Sequence, residues 1–261
     1  MRARARDLPV VARTAWGHRH DPRWREIALV AVLLGSSLVA FAHLVEDYLT
    51  GDPIVRWDVE LARWLHEHSS SPLVSLFEVV TLAGNVVVLA ILCVVALAYL
   101  LRRGAFNDAA LLVMVAVGIE LLNALLKLVF HRPRPELAFI HLDTYSFPSG
   151  HAAGSSAIYG VLAYLTLRHV RGRRGVLAVA AAAALVAAIG FSRLYLGAHY
   201  LSDVLAGLSL GATWLFTWIL VSLLYGERSV LPLLPARLRR AVERSAERSS
   251  SAGSSNLVVA P

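Results

Sequence analysis

The amino-acid sequence predicts an all-α membrane protein, a polytopic bundle of six transmembrane helices. Of its 261 residues, 57% are hydrophobic and only 16% are charged, whereas a soluble domain carries about 25% charged residues. The apolar residues are also gathered into long segments. A helix needs about 20 apolar residues to cross a bilayer, and several segments reach that length, so the chain suits one compact bundle in the membrane.

Six apolar segments are separated by polar or basic loops. They cover residues 27–45, 73–101, 106–130, 151–167, 176–191 and 203–225. In the second segment, the spanning part is expected to begin near Val79. The fourth and fifth segments are short and rich in Gly, Ala and Ser, a composition typical of helices packed closely inside a membrane bundle.

The basic residues are divided unequally between alternate loops. Nineteen of the 25 Arg and Lys residues lie in the amino-terminal segment, the loops after the second and fourth spans, and the tail. Cytoplasmic loops are enriched in Arg and Lys, so both termini are predicted to be cytoplasmic in a multi-pass protein of the plasma membrane. The net charge of +7 follows from this distribution and does not indicate nucleic-acid binding.

These observations predict three regions. Residues 1–26 form a basic cytoplasmic amino terminus, residues 27–225 a six-span membrane domain, and residues 226–261 a cytoplasmic tail with a Ser-rich end expected to be disordered. An alternative for the start is cleavage of a signal peptide after Ala40-Phe41-Ala42. The long basic region before it favours a retained first span.

A short amphipathic helix is predicted between the first two spans, at residues 55–65. It places Val55, Val59, Ala62 and Leu65 along one face. Such a helix either lies at the bilayer surface or packs on the bundle, and the sequence leaves both possibilities open.

Three polar clusters lie at the ends of apolar segments, all on the predicted extracytoplasmic side. They are Lys127-Leu-Val-Phe-His-Arg-Pro-Arg134-Pro135, Pro148-Ser149-Gly150-His151, and Ser192-Arg193-Leu-Tyr-Leu-Gly-Ala-His199-Tyr-Leu-Ser-Asp203. An ionisable side chain in or near lipid is costly and therefore suggests a functional site.

The cations of these clusters suit a phosphoryl group. Arg134 and Arg193 offer planar forks of donors, and Lys127 offers a compact charge. Ser149 is placed to cap the fourth helix, whose free backbone N–H groups bind anions, and Gly150 allows close approach. The clusters lack the grouped carboxylates that hold magnesium, so we predict neither a metal nor another cofactor.

The histidines and the carboxylate supply reactive groups. His199 and Asp203 stand four residues apart, on one face of a helix, and a carboxylate on one ring nitrogen raises the basicity of the other. His199 is therefore the better nucleophile, and His151 can protonate the leaving group. This chemistry predicts a phosphohistidine intermediate that water then hydrolyses.

The three clusters fill every position of the patterns Lys-x6-Arg-Pro, Pro-Ser-Gly-His and Ser-Arg-x5-His-x3-Asp. The chain thereby resembles the type 2 phosphatidic acid phosphatase superfamily, which includes vanadium-dependent haloperoxidases, and in particular its six-span membrane branch. The motifs cover residues 127–203, and the likeness extends over about 27–225. The resemblance implies phosphate ligands at Lys127, Arg134, Ser149, Gly150 and Arg193, an acid at His151, a nucleophile at His199 and its partner at Asp203.

The resulting expectation is a metal-independent lipid phosphatase of the bilayer. Similar proteins act on undecaprenyl or other polyprenyl pyrophosphates, phosphatidic acid, or phosphatidylglycerol phosphate, and the sequence does not choose among them or indicate an oligomeric state. One alternative is a non-catalytic membrane protein that binds lipid phosphate, although it would need neither His151 nor His199. A haloperoxidase holding vanadate is the other, and the membrane spans argue against it.

Further polar residues lie outside the signature positions of the motifs. Glu120, Asn123 and Lys127 share one face of the third span, and a structural role is expected for Glu120. The loop between the first two motifs carries four candidates for contact with the lipid headgroup: His131, Arg132, His141 and Asp143.

Overall fold

The computed structural model describes residues 22–225, except residues 52, 141–143 and 171. This part of the chain contains eight helices and no strand. The helices are α1 (Pro22–Thr50), α2 (Pro53–Glu67), α3 (Ser71–Leu82), α4 (Val86–Arg102), α5 (Phe106–Phe130), α6 (Gly150–His169), α7 (Arg173–Tyr195) and α8 (Leu201–Tyr225). The all-α prediction is confirmed, and the predicted tail and most of the basic amino terminus lie outside the described residues.

Five stretches of the described chain are long and apolar enough to cross a membrane. They are Trp24–Thr50 in α1, Ser71–Arg102 in α3 and α4, and the whole of α5, α7 and α8. The remaining predicted span corresponds to α6. Its 20 residues give a length of about 30 Å, but its Gly, Ser and His residues lower its hydropathy, so a sixth span stays a prediction.

Helix α6 lies at the centre of the bundle, in contact with α4, α5, α7 and α8. Ala152, Ala153 and Ala157 are completely buried, which confirms the predicted close packing of this segment. Glycines of α8 complete the contact, because a Cβ atom on Gly207 would lie 2.5 Å from the Ser149 carbonyl oxygen. The sequence analysis missed this role of α8.

The expectation of interior packing is wrong for most of α7. Its first two-thirds are largely exposed on the outside of the bundle, and the buried side chains lie near its carboxyl end, around Ile189 and Arg193. The alanines in the first two-thirds of α7 lie on the outer surface of the bundle. A high content of small residues therefore did not by itself identify a helix packed inside the bundle.

The second predicted span is interrupted between α3 and α4. A Cβ atom on Gly84 would lie 2.5 Å from Ile189 Cγ2 and 3.2 Å from His151 Cδ2, so the break passes close to α7 and to the start of α6. The Tyr159 hydroxyl donates a hydrogen bond of 2.8 Å to the Ala83 carbonyl oxygen, which satisfies one acceptor that the break leaves free.

The predicted amphipathic helix is α2, and it packs on the bundle against α7 and α8. Its inner face differs from the prediction. Val59 is 46% exposed, whereas Asp58 is buried, as is Leu65, which packs with Leu61 against Leu194 and Val204. A carboxylate therefore enters the interior from a helix for which the sequence predicted an apolar inner face.

Candidate active site

The three motifs converge at one end of the bundle. The carboxyl ends of α5 and α7 contribute Lys127 and Arg193, the amino ends of α6 and α8 contribute His151 and Asp203, and the intervening loops contribute Arg134 and His199. All three cations act electrostatically on His199. The sequence predicted that these groups belong to one site, and the fold brings them together.

His199 is buried, with only 3% of its surface exposed. Its Nε2 atom lies 3.2 Å from Nη1 of Arg134, and its Nδ1 atom lies 3.5 Å from Oδ2 of Asp203. A guanidinium only donates hydrogen bonds, so Nε2 acts as the acceptor and the ring proton resides on Nδ1. This tautomer leaves the Nε2 lone pair facing the cations, as the predicted nucleophile requires.

The environment keeps His199 neutral. Burial, followed by the positive charges of Arg134, Arg193 and Lys127, holds the pKa of the imidazole well below its ordinary value. Each cause disfavours the imidazolium. The lone pair on Nε2 is thus available at neutral pH.

Asp203 lies close to Nδ1 of the neutral His199 but does not form a hydrogen bond with it, and Nδ1 has no other hydrogen-bond partner. Asp203 is itself fully buried. Its Oδ2 atom accepts a 2.9 Å hydrogen bond from the Tyr200 backbone N–H. The Asp203 carboxylate is therefore held near Nδ1 of His199, where a small movement would form the hydrogen bond that orients the ring.

Hydrogen bonds from the guanidinium groups hold Arg134 and Arg193 in place. Nη1 of Arg193 donates to the Thr81 hydroxyl at 2.8 Å, and Arg193 is only 2% exposed. Nε and Nη1 of Arg134 donate to the carbonyl oxygens of Thr144 and Ala198, both at 2.6 Å. Burial, opposed by the charge of Asp203, lowers the pKa of Arg134. Thr81, on the interrupted second span, was missed by the sequence analysis.

The amino end of α6 borders the same space. Ser149 occupies the N-cap position as predicted, but its side chain makes no capping hydrogen bond. Its backbone N–H instead donates to the Asp203 carbonyl oxygen at 3.0 Å. Lys127 approaches from α5, where its ammonium group donates to the Tyr145 carbonyl oxygen.

Unpartnered polar atoms are concentrated here. Among the described residues, six buried side-chain atoms lack a hydrogen-bond partner, and four belong to this site: Ser149 Oγ, Arg193 Nε, His199 Nδ1 and Asn123 Nδ2. Asn123 is 5% exposed and lies one turn before Lys127. Buried polar groups are normally hydrogen-bonded, so this concentration is typical of a site that accepts a polar ligand.

The predicted headgroup role is wrong for Arg132. This side chain is 4% exposed and is held by Asp58, Ser202 and Asp203. His131 is exposed beside Tyr145, so its contact with a headgroup stays a prediction, while His141 and Asp143 lie outside the described residues. In the described ranges, no three His, Cys, Asp or Glu side chains are grouped to hold a metal ion.

The fold and the site together define a membrane helix bundle with three cations and an unprotonated histidine nitrogen gathered at one end. The sequence model of the PAP2 superfamily matches residues 106–226, the region that contains all three motifs. This part of the chain is a PAP2 superfamily domain, and the resemblance noted from the motifs is confirmed.

One sequence relative and one solved structure extend this assignment. Phosphatidylglycerophosphatase B of Bacillus subtilis (strain 168) is 38% identical over 109 residues, which cover 40% of this chain. The aligned part spans about half of that relative's length (53%). The crystal structure of a transmembrane PAP2 type phosphatidylglycerolphosphate phosphatase from Bacillus subtilis superposes with a TM-score of 0.66 at 25% identity, covering 76% of this chain and 98% of that one.

Proposed function

We propose that this protein is an integral membrane phosphatase that hydrolyses a lipid phosphate or pyrophosphate through a phosphohistidine intermediate. The observation that carries the proposal is the neutral His199, whose Nε2 atom faces Arg134 at 3.2 Å in a pocket of buried, unpartnered polar atoms. A binding site alone would need the cations and not a nucleophile. The Bacillus subtilis sequence relative and the Bacillus subtilis crystal structure, both named as phosphatases of phosphatidylglycerol phosphate, support the same class of reaction.

The charges of the pocket favour a phosphate dianion. Lys127, Arg134 and Arg193 supply three positive charges, while the charge of Asp203 is already paired with Arg132 at 2.6 Å. Charge on the phosphoryl oxygens would be stabilised by these cations and by the amino end of α6 throughout the transfer. Ser149 and Gly150 stand at that helix end, and the unpartnered Ser149 hydroxyl is free to donate to a phosphoryl oxygen.

The proposed reaction has two steps. First, Nε2 of His199 forms a bond to phosphorus while the bond to the leaving oxygen breaks, and His151, protonated once the bound phosphate dianion offsets the surrounding cations, gives that oxygen its proton. Asp203 stabilises the positive charge that develops on the ring of His199. Next, His151 accepts a proton from water, whose oxygen attacks phosphorus and releases phosphate and His199. No step requires a metal ion.

The arrangement of charge supports an extracytoplasmic site. The motif residues gather at one end of the bundle. Arg102, Arg103 and Arg168 lie at the other end of the bundle, where α4 and α6 reach their carboxyl ends. By the positive-inside rule, that second end is cytoplasmic. With residues 27–225 forming the membrane domain, both termini would face the cytoplasm of a plasma-membrane protein.

Phosphatidylglycerol phosphate is the first candidate substrate, because the sequence relative and the solved structure both carry that activity in their names. Phosphatidic acid and polyprenyl pyrophosphate present the same terminal phosphoryl group and differ in what lies behind it. A vanadate-dependent haloperoxidase is disfavoured by the five apolar spans, which suit a lipid substrate.

The test is phosphate release by purified protein in detergent with EDTA present, from the three lipids in parallel. Wild type is expected to release phosphate, and His199→Gln is expected to lose the activity. The ranking of rates identifies the lipid. Equal release by wild type and His199→Gln, or no release from any lipid, would overturn the proposed mechanism and favour a lipid-phosphate-binding protein.

A further inference from the structure

A buried chain of polar contacts runs from α2 to the candidate nucleophile. Arg132, at an unspecified position within the first motif, donates from Nη1 to Asp203 Oδ1 at 2.6 Å and from Nη2 to Asp58 Oδ2 at 2.8 Å. The Arg132 side chain is 5% exposed and both carboxylates are completely buried. Asp203 in turn lies 3.5 Å from His199, so one guanidinium joins the partner of the nucleophile to a helix outside the family match.

Asp58 also holds the start of α8. Its Oδ1 atom accepts a 2.9 Å hydrogen bond from the Ser202 backbone N–H, and its Oδ2 atom accepts one from the Ser202 hydroxyl. That hydroxyl is also an acceptor for Nη1 of Arg132, at 2.7 Å. Ser202 immediately precedes Asp203, so Asp58 fixes both the backbone and the cation next to the predicted catalytic carboxylate.

The orientation of Arg132 is fixed by two aromatic rings. Its guanidinium carbon lies 5.0 Å from the ring centre of Tyr48 and 4.5 Å from that of Tyr200, distances at which a cation is attracted to a ring face. Although burial opposes it, the neighbouring Asp203 and Asp58 raise the pKa of Arg132. The guanidinium is thus a permanent charge, and its hydrogen bonds go to Asp58, Ser202 and Asp203.

We propose that Arg132 and Asp58 are positioning residues for catalysis, forming with Asp203 a buried relay that orients His199 and sets the charge it experiences. The inference rests on the proposed phosphatase function and goes beyond its signature residues. Arg132 occupies Oδ1 of Asp203, which leaves Oδ2 toward the Nδ1 proton of His199. It also partly neutralises Asp203, and Asp58 partly neutralises Arg132.

This arrangement predicts opposite effects for two substitutions. Arg132→Gln removes a positive charge beside Asp203, so the carboxylate stabilises protonated His199 more and the pKa of His199 rises. Asp58→Asn leaves Arg132 uncompensated, so Asp203 stabilises protonated His199 less and that pKa falls. The charged or titratable groups around His199 that must stay constant in this comparison are Lys127, Arg134, His151 and Arg193.

The experiment has two measurements. The first is kcat/KM for phosphate release as a function of pH. The second, which needs no substrate, is the titration of His199 by nitrogen NMR of histidine-labelled protein, with His199→Gln used to assign the His199 signals. We expect the acid limb and the NMR midpoint to move to higher pH in Arg132→Gln and to lower pH in Asp58→Asn. The kcat of each variant is expected to fall roughly 10- to 100-fold, the range found for residues that orient metal-bound histidines, with KM changed less than about threefold.

Two controls separate this role from a structural one. Arg168→Gln breaks an Arg–Asp pair at the other end of the bundle and should leave kcat and the His199 titration unchanged. Arg132→Lys keeps the charge and should retain the titration midpoint while losing part of kcat, and thermal unfolding identifies any variant that fails to fold.

The outcomes are distinguishable. Midpoints that move in the same direction, or not at all, in folded Arg132→Gln and Asp58→Asn overturn the relay even if wild type is active. Inactive wild type with opposite NMR shifts overturns the proposed function and retains the relay as the structure that sets the charge on His199.

Discussion

The two ends of the bundle each hold an Arg–Asp pair with a similar contact distance. At the site end, Arg132 contacts Asp203 at 2.6 Å, and the two side chains are 5% and 0% exposed. At the other end, Arg168 contacts Asp108 at 2.8 Å, and the two side chains are 46% and 9% exposed. The pairs differ mainly in how much water reaches the guanidinium.

This difference decides what each pair can do. An exposed pair is screened and contributes about 0–1 kcal/mol to stability. Removing one partner of a buried pair leaves an uncompensated charge and costs roughly 3–5 kcal/mol. The same two residue types therefore form a weak surface contact at one end and fix the position and charge of a buried carboxylate at the other. Substitutions made separately at each end test this comparison.

The largest expected effect comes from the nucleophile at the site end. His199→Gln keeps a polar side chain of similar size but removes the imidazole, so phosphate release should fall by a factor of about 10³ or more. Arg168→Gln, at the other end, should stay within about twofold of wild type. Both rates are measured with the preferred lipid in detergent, and more than a tenth of wild-type activity in His199→Gln would contradict the assignment.

A second change tests the charge around His199. Arg134→Gln removes a phosphate ligand and should lower kcat/KM roughly 10²-fold. It also removes one cause of the low pKa of His199, so that pKa rises. Because the neutral ring is the nucleophile, activity is lost as pH falls through this pKa, and the acid limb should move to higher pH. The profile of Arg168→Gln should match wild type, and an unmoved limb in Arg134→Gln would argue against the electrostatic coupling.

The packing that supports the site end is tested by a pair of glycines. Gly207→Ala places a Cβ atom 2.5 Å from the Ser149 carbonyl oxygen, whereas Gly35→Ala in α1 meets nothing within 4 Å. Overpacking of this kind costs about 1–3 kcal/mol, so Gly207→Ala should lower the thermal midpoint and the activity. Gly35→Ala should leave both unchanged or raise the midpoint slightly. Equal midpoints for the two variants would contradict the close contact of α6 and α8.

The smallest effect is expected at the other end. Arg168→Gln should reduce the free energy of unfolding by less than about 1 kcal/mol, because Arg168 is nearly half exposed and its pair is screened. His169 also contacts Asp108, at 2.8 Å, and can retain part of the interaction. Chemical denaturation in detergent at low and high salt measures this, and a loss as large as that in Arg132→Gln would remove the distinction between the two ends.

The motifs and apolar segments made much of the molecule predictable. Five of the six predicted spans are long and apolar in the structure, and the motif residues, from Lys127 to Asp203, meet at one end. These predictions succeeded because they depend on local patterns: hydropathy over one helix length, and functional groups at fixed spacing within a few turns. The fourth predicted segment, α6, is the least apolar because it carries the site and is covered by other helices.

The contacts that support the site could not be predicted in this way. Asp58 and Ser202 are 144 residues apart in sequence, and Thr81 and Arg193 are 112 apart. Asp58 lies on an amphipathic helix whose pattern suggested a different inner face, and Arg132 occupies a loop where an exposed side chain was expected. A single sequence has no periodic pattern that pairs such distant residues.

The sequence by itself determined the helices, their membrane character and the chemical groups of the candidate site, since these follow from side-chain polarity and short-range spacing. The tertiary structure decided which groups are buried and which charges meet. Burial sets the strength of a charge interaction, so only the folded chain distinguishes the Arg132 that holds Asp203 from the Arg168 that lies at the surface.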